Sequence, residues 1–242
     1  MRHKIAIFMV PKIIHICWFS GDKYPVEIRR CIDTWHKLLP DYEIKVWDAE
    51  DARSLNCRYI DEALDRRRWA FAADAVRFYA VYLYGGVYMD SDIYLYRRFD
   101  EFIPEHGCTV FREVAPYFYL QAAFIIGEKG NQFCKDMVDF YASRPFIQPD
   151  GTNDETISPL RMREVAELRG IRADDSEQHI EGYLSVYPTE NLLPCRSYSG
   201  RRDKAFGMHM IYGSWRKRSF GRKIELKIKH WISVVKYTLF KK

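Results

Sequence analysis

The chain has 242 residues, 48% of them hydrophobic and 16% aromatic, with 38 Lys/Arg against 33 Asp/Glu for a net charge of +5. That is enough apolar content for one full core, and the size is common for an α/β domain. The six cysteines (17, 31, 57, 108, 134 and 195) form no C-x-x-C and no regular spacing, which excludes a metal knuckle or a disulfide framework and suits reduced thiols in a cytosolic chain.

The N-terminal run Ile5–Val10 is interrupted by Pro11-Lys12 and falls short of a signal-peptide core. No apolar stretch approaches the ~20 residues that span a bilayer. A first strand is predicted over Lys12–Phe19, a helix over Tyr24–Leu38 and a short alternating strand over Tyr42–Trp47. Strand, helix, strand in this order make a βαβ unit and hence a parallel sheet. A charged helical stretch follows at 51–67, then a helix over 68–84 and a strand over 86–90. Further strands are predicted at Thr109–Phe111 and Ala122–Ile126, and a helix over Asn131–Ser143. Residues 144–159 carry three prolines and a glycine and read as a loop, with a helix over Arg161–Arg169 beyond it. Val186–Pro188 and Ala205–His209 are late strand candidates. No repeat or low-complexity linker divides this order, so residues 1–215 read as one domain and 216–242 as a tail.

Chemistry concentrates after Gly85-Gly86, where Val87-Tyr88-Met89 runs into Asp90-Ser91-Asp92. In an extended segment alternate side chains share a face, which would point Asp90 and Asp92 the same way. Two adjacent carboxylates repel unless a cation lies between them, and hard oxygen ligands suit Mg²⁺ or Mn²⁺, which complete their shells with phosphates. An Asp-Ser-Asp is also an ordinary turn or helix cap. The preceding helix is apolar on most sides, yet it keeps Asp74 and Arg77 three residues apart on one face. An intrahelical ion pair of roughly 0.2–0.5 kcal/mol is the plain reading, but charges in a buried helix call for further partners.

The run Ala72-Ala73-Asp74-Ala75-Val76-Arg77, followed by Leu83-Tyr84-Gly85-Gly86-Val87-Tyr88-Met89-Asp90-Ser91-Asp92, resembles the signature of glycosyltransferases containing the DXD sugar-binding motif. That family includes the yeast initiating α-1,6-mannosyltransferase and bacterial capsule and lipopolysaccharide transferases, and is related to glucosylating clostridial toxins. Val10–Trp18 is similar to the family's opening strand, and His209-Met210-Ile211-Tyr212-Gly213-Ser214-Trp215 to its closing element. The resemblance implies a GT-A-type nucleotide-sugar-binding fold, a mostly parallel central sheet flanked by helices. It also implies a retaining, Mn²⁺- or Mg²⁺-dependent transfer from a UDP- or GDP-sugar to a saccharide acceptor. Within it, Asp92 is the direct metal ligand, Asp90 contacts metal, ribose or sugar, and His209 is a third ligand through a neutral imidazole. Asp74 and Arg77 match the pair that holds the transferred sugar's hydroxyls and the diphosphate oxygens. Trp18 matches a base-stacking position, Tyr88 bonds the donor, and Ser214 and Trp215 close over the diphosphate. Asn153 and Asp154 lie in a polar loop that holds donor or acceptor hydroxyls or is simply solvated. Gln121 stands where the family pattern has Asn, a departure that touches the neighbouring sugar contact.

The tail from Arg216 to Lys242 holds ten Lys/Arg and one acid, Glu225, leaving 28 basic and 32 acidic residues in the rest of the chain. Ile224, Ile228, Trp231, Ile232, Val235 and Leu239 recur at helical spacing, so a basic amphipathic helix is predicted. Such a helix anchors to an anionic membrane surface, which places the protein peripherally on the inner face of the cytoplasmic membrane with a lipid-linked acceptor; a closing helix packed on the domain is the competing reading. A haloacid-dehalogenase-type phosphohydrolase with Asp90 as nucleophile is the alternative activity, although its motif normally lies near the N-terminus. No nucleic-acid-binding motif accompanies the basic tail.

Overall fold

The structure is a computed structural model that describes residues 10–113, 117–194 and 203–211. Ser214, Trp215, Cys195 and the whole 216–242 tail lie outside the described residues. The elements are β1 (Ile13–Cys17), α1 (Val26–Leu38), β2 (Glu43–Trp47), α2 (Ala49–Arg53), α3 (Arg58–Asp65), α4 (Trp69–Tyr84), β3 (Gly86–Met89) and β4 (Ile93–Leu95). After a 3-10 turn at Asp100–Phe102 come β5 (Cys108–Phe111), β6 (Phe124–Gly127), α5 (Gln132–Ala142), α6 (Ser158–Glu167), β7 (Gln178–Ile180), β8 (Leu184–Tyr187), β9 (Leu192–Leu193) and β10 (Gly207–His209). The charged stretch expected to be helical forms two helices, α2 and α3. Asn56 between them takes a positive φ of 52°, a conformation that Asn tolerates and a continuing helix cannot hold.

The main sheet has the order β2-β1-β3-β6-β5-β8-β7. β2, β1, β3, β5 and β8 share one direction, while β6 and β7 oppose it. The βαβ unit is therefore parallel as predicted, and the whole is an α/β domain whose sheet is mixed at β6. Side-chain alternation sorts the two faces. Tyr88, Cys108, Val110 and Ile125 point into a core built with α3, α4, α5 and α6. Ile14, Ile16, Val87, Met89, Phe124 and Ile126 point into a second core. That second core includes Trp35 of α1 and is roofed by a small sheet of order β4-β10-β9.

α4 anchors the first face, and its corner into β3 depends on glycine. Gly85 and Gly86 take φ of 68° and 103°, and a Cβ on Gly86 would lie 2.5 Å from the carbonyl oxygen of Ile13 in β1. Buried His15 ties the same corner. Its Nε2 donates to the Gly85 carbonyl at 2.8 Å, and its Nδ1 accepts from Trp47 Nε1 at 3.2 Å. That pattern needs a neutral ring, and burial lowers its pKa to about 4.

Gly86→Ala is expected to lose stability through both backbone strain, about 1–3 kcal/mol, and the clash with β1. Gly130→Ala, also at positive φ but with open space around it, should lose the strain alone. Denaturant melts compare the two, and equal losses would show that β3 does not need the close approach.

Candidate active site

The site lies at the carboxyl end of β3, where a helix, a turn and the small sheet converge. α4 runs antiparallel to β3, so its first turns stand over that end and carry Asp74 and Arg77. Arg77 is only 4% exposed, and its donors are matched one by one. Nε donates to the Ala73 carbonyl at 3.0 Å, Nη1 to the Ala122 carbonyl at 2.5 Å, and Nη2 to Asp74 Oδ1 at 2.7 Å. Nη2 is also 3.7 Å from Asp90 Oδ1, and the guanidinium lies 4.9 Å from the centre of the Tyr88 ring. Burial opposes its charge, but Tyr88, Asp90 and Asp74 outweigh that and raise its pKa. The pair thus does more than brace the helix. Arg77 links α4, the segment entering β6 and the Asp-Ser-Asp turn, and removing it would leave two partly buried carboxylates without their cation.

The two motif carboxylates do not converge by strand alternation. β3 ends at Met89, and Asp90–Ile93 form a tight turn closed by Ile93 N–H to the Asp90 carbonyl at 3.0 Å. A four-residue turn folds both side chains towards one point, which extended geometry would have kept about two residues' rise apart. Tyr88, its ring buried, donates its hydroxyl to Asp90 Oδ1 at 2.7 Å, and Asp90 N–H is held by the Ala123 carbonyl of the segment entering β6 at 2.9 Å.

His209 reaches the turn through the small sheet. β10 pairs antiparallel with β4, setting His209 opposite Ile93, and Met210 N–H donates to the Asp92 carbonyl at 3.0 Å. His209 Nε2 then lies 3.3 Å from Asp92 Oδ1 and 4.0 Å from Asp90 Oδ2, and one ligand atom from each residue falls within 4.8 Å of the others. Two carboxylate oxygens and an imidazole nitrogen fit a divalent ion with coordination positions left for substrate oxygens. Burial works against the imidazolium, but Asp92, Asp90 and more distant Glu113 prevail and raise the His209 pKa above 6.5.

The other sequence-predicted residues spread around this centre. Trp18 follows β1, donates Nε1 to the Asp22 carbonyl at 2.7 Å and packs edge-on against Tyr24 at 4.7 Å. It makes no contact with the carboxylates among the described residues. Gln121 is fully buried with neither amide atom hydrogen-bonded, one residue before the carbonyl that holds Arg77. Asn153 and Asp154 stand in the loop between α5 and α6, where the Asn153 Oδ1 is buried without a partner. Two contributors escaped sequence reading. The Ser158 backbone N–H bonds Asp74, and Cys17, its thiol pushed up by burial, faces Arg77, Asp90 and Tyr88. Backbone donors and a lone cysteine carry no pattern that would have revealed them.

Residues 25–108 match the family model described as the glycosyltransferase sugar-binding region containing DXD motif. That stretch of the chain is similar to the DXD glycosyltransferases. The matched interval holds Asp74, Arg77, Asp90 and Asp92 and ends before His209. The chain is 21% identical over 219 residues to an uncharacterized glycosyltransferase of Acanthamoeba polyphaga mimivirus, covering 86% of this chain and 84% of that protein. It is 32% identical over 102 residues to inositol phosphoceramide mannosyltransferase 3 of Schizosaccharomyces pombe, covering 38% of this chain and 26% of that protein. Among solved structures, a glycosyltransferase involved in glycosylation of the major capsid of PBCV-1 superposes with a TM-score of 0.47 at 15% identity, covering 81% of this chain and 92% of that one. The galactosyltransferase LgtC, solved with donor and acceptor sugar analogs, gives 0.45 at 10% identity over 89% and 94%.

Asp74 is the site's least comfortable charge. Burial raises its pKa to about 6, with Arg77 opposing that rise and Asp90 adding to it. A carboxyl whose folded pKa exceeds its unfolded value of about 3.9 binds its proton more tightly when folded, so this group's contribution to stability falls as pH rises from about 4 to beyond 6. Asp74→Asn lacks that loss. Its melting temperature relative to the parent is expected to rise between pH 4.5 and pH 7.5, measured by scanning calorimetry. A difference that shrinks with pH would show the carboxylate to be stabilising.

Proposed function

We propose that the DXD centre is a divalent-metal site in which Asp90, Asp92 and His209 hold Mn²⁺ or Mg²⁺, and that the enzyme moves a sugar from a UDP- or GDP-sugar to a saccharide acceptor with retention of configuration. The supporting observation is the convergence of two carboxylate oxygens and an imidazole nitrogen beside a buried arginine network. When bound, the ion supplies positive charge to the diphosphate of the donor. Asp74, fixed by Arg77 and by the Ser158 N–H, offers its remaining acceptor positions to hydroxyls of the transferred sugar. Arg77 serves chiefly by holding Asp74 and Asp90, and its charge lies close enough to favour the departing phosphate. Gln121 is the proposed neighbouring sugar contact; its amide atoms are unpartnered, at a cost of about 1–3 kcal/mol, and the side chain would have to be uncovered to reach a sugar hydroxyl. Trp18 stacks on the base, Tyr88 orients Asp90, and Ser214 with Trp215 closes the diphosphate pocket. The phosphohydrolase alternative is not favoured, since the family match is to glycosyltransferases.

For the acceptor and its location, support comes from the basic apolar-striped tail and from the lipid named in the fission yeast relative. A lipid-linked acceptor at the inner face of the cytoplasmic membrane suits both, and each Lys or Arg near an anionic leaflet contributes about 1 kcal/mol. Among the described residues no helix is long and apolar enough to cross a membrane.

Asp92→Asn should reduce Mn²⁺-dependent hydrolysis of a UDP- or GDP-sugar by more than about 100-fold, beyond what loss of a supporting group costs. Full activity in EDTA would sink the metal assignment. Because His209 must be neutral to bind an ion, turnover at limiting Mn²⁺ should fall as pH drops through an inflection above 6.5, and excess Mn²⁺ should move that inflection lower. Deleting residues 223–242 should leave donor hydrolysis intact and abolish sedimentation with anionic vesicles; a full-length protein that ignores such vesicles at low salt refutes the anchor.

A further inference from the structure

The edge of the fold that carries the DXD centre holds a second polar concavity. α5 starts at the far end of the sheet, capped by Asn131 (Asn131 Oδ1 accepting from Cys134 N–H), and delivers the chain back to the site edge. There, residues 143–157 curl into a cleft of about 450 Å³ whose walls include Arg144, Gln148, Asn153, Asp154, Thr156 and Arg161. The cleft adjoins the centre, since Ser158, directly after this loop, bonds Asp74, and Tyr59 of α3 donates to the Asp154 carbonyl at 3.4 Å.

Its charges are unevenly matched. Arg161 is met by Glu164 at 3.0 Å, the Thr156 hydroxyl at 3.1 Å and Asp154 at 3.7 Å, and Glu155 is taken by Arg68. Arg144 forms no ion pair among the described residues. Its guanidinium carbon lies over Phe140, 3.3 Å from the ring centre, and its Nε donates to the Phe140 carbonyl at 2.9 Å. Arg161 sits 5.3 Å from the same ring, so two guanidinium groups share one wall. Beside them the Arg161 Nε and Asn153 Oδ1 are buried without partners. A half-buried fork with free donors, next to a second guanidinium whose Nε–H is unbonded, suits an oxyanion, and the unpartnered Asn153 Oδ1 acceptor suits a hydroxyl of the body that carries it.

We propose that this cleft is the subsite for an acceptor saccharide carrying an oxyanion, phosphate or carboxylate, bound through Arg144. The proposal rests on the glycosyl-transfer reading for the word acceptor, but its test does not use catalysis. Titration calorimetry of the full chain in EDTA, without donor, takes mannose 1-phosphate, glucuronate and methyl mannoside as probes. At least one anion should bind tenfold or more tightly than methyl mannoside, and the preferred one identifies phosphate or carboxylate as the source. Arg144→Gln should abolish the preference, and Arg144→Lys, which keeps charge but not the fork, should retain part of it. In the parent, hydrogen exchange should slow in residues 143–157 with the anion and not with methyl mannoside, a readout that needs no variant to fold. Equal affinity for all three probes, no binding of either anion at millimolar concentration, a preference that survives Arg144→Gln, or protection confined to 88–92 overturns the subsite. Failure of the transfer reading shows separately, as absent donor hydrolysis by the parent with Mn²⁺.

Discussion

A guanidinium buried among apolar side chains must find an acceptor for nearly every N–H, and Arg77 meets that demand by binding three parts of the chain at once. Its bonds to Ala73 within α4, to Ala122 before β6 and to Asp74, with Asp90 close by, fix where the helix stands over the sheet. The same contacts hold two carboxylates against their mutual repulsion. A lysine point charge could not span these directions, so the geometry of the site and the packing of α4 are one requirement.

Around that anchor, the reactive edge is assembled at a seam between two sheets. The seven-stranded sheet ends in the Asp90–Ile93 turn, and β4 then crosses into the three-stranded sheet, which returns His209 from more than a hundred residues away. Because backbone hydrogen bonds set the β4–β10 register, a one-residue slip would turn His209 away from the carboxylates. The closely packed phenylalanines beneath, with Phe206 against Phe111 and Phe124 at 5.1 Å each, hold that register from the apolar side.

Much of this was legible in advance. The glycine pair after an alanine-rich helix, the βαβ order and the long elements reflect strong local signals, and the structure keeps α1, α4, α5, β1 and β3 close to their predicted bounds. β4, β7 and β9 were not foreseen, since strands of two or three residues carry too little periodicity to separate from loops. The charged 51–67 stretch is helical as its composition predicts, but the break at Asn56 carries only a weak local signal. Alternation along a strand also gave the right residues for the wrong reason. Asp90 and Asp92 do converge, but through a turn that pairs Asp90 with Ile93.

By itself the sequence determined the chemistry on offer: which carboxylates, which arginine and which histidine, at spacings set by covalent connection and by helical or turn geometry. Only the tertiary structure decided how those groups are spent. Burial makes Asp74 a reluctant anion and turns Arg77 inward as a brace, while Arg144, at the lip of a cleft, forms no ion pair among the described residues. Such outcomes depend on desolvation and on partners distant in the chain, quantities that no local pattern encodes.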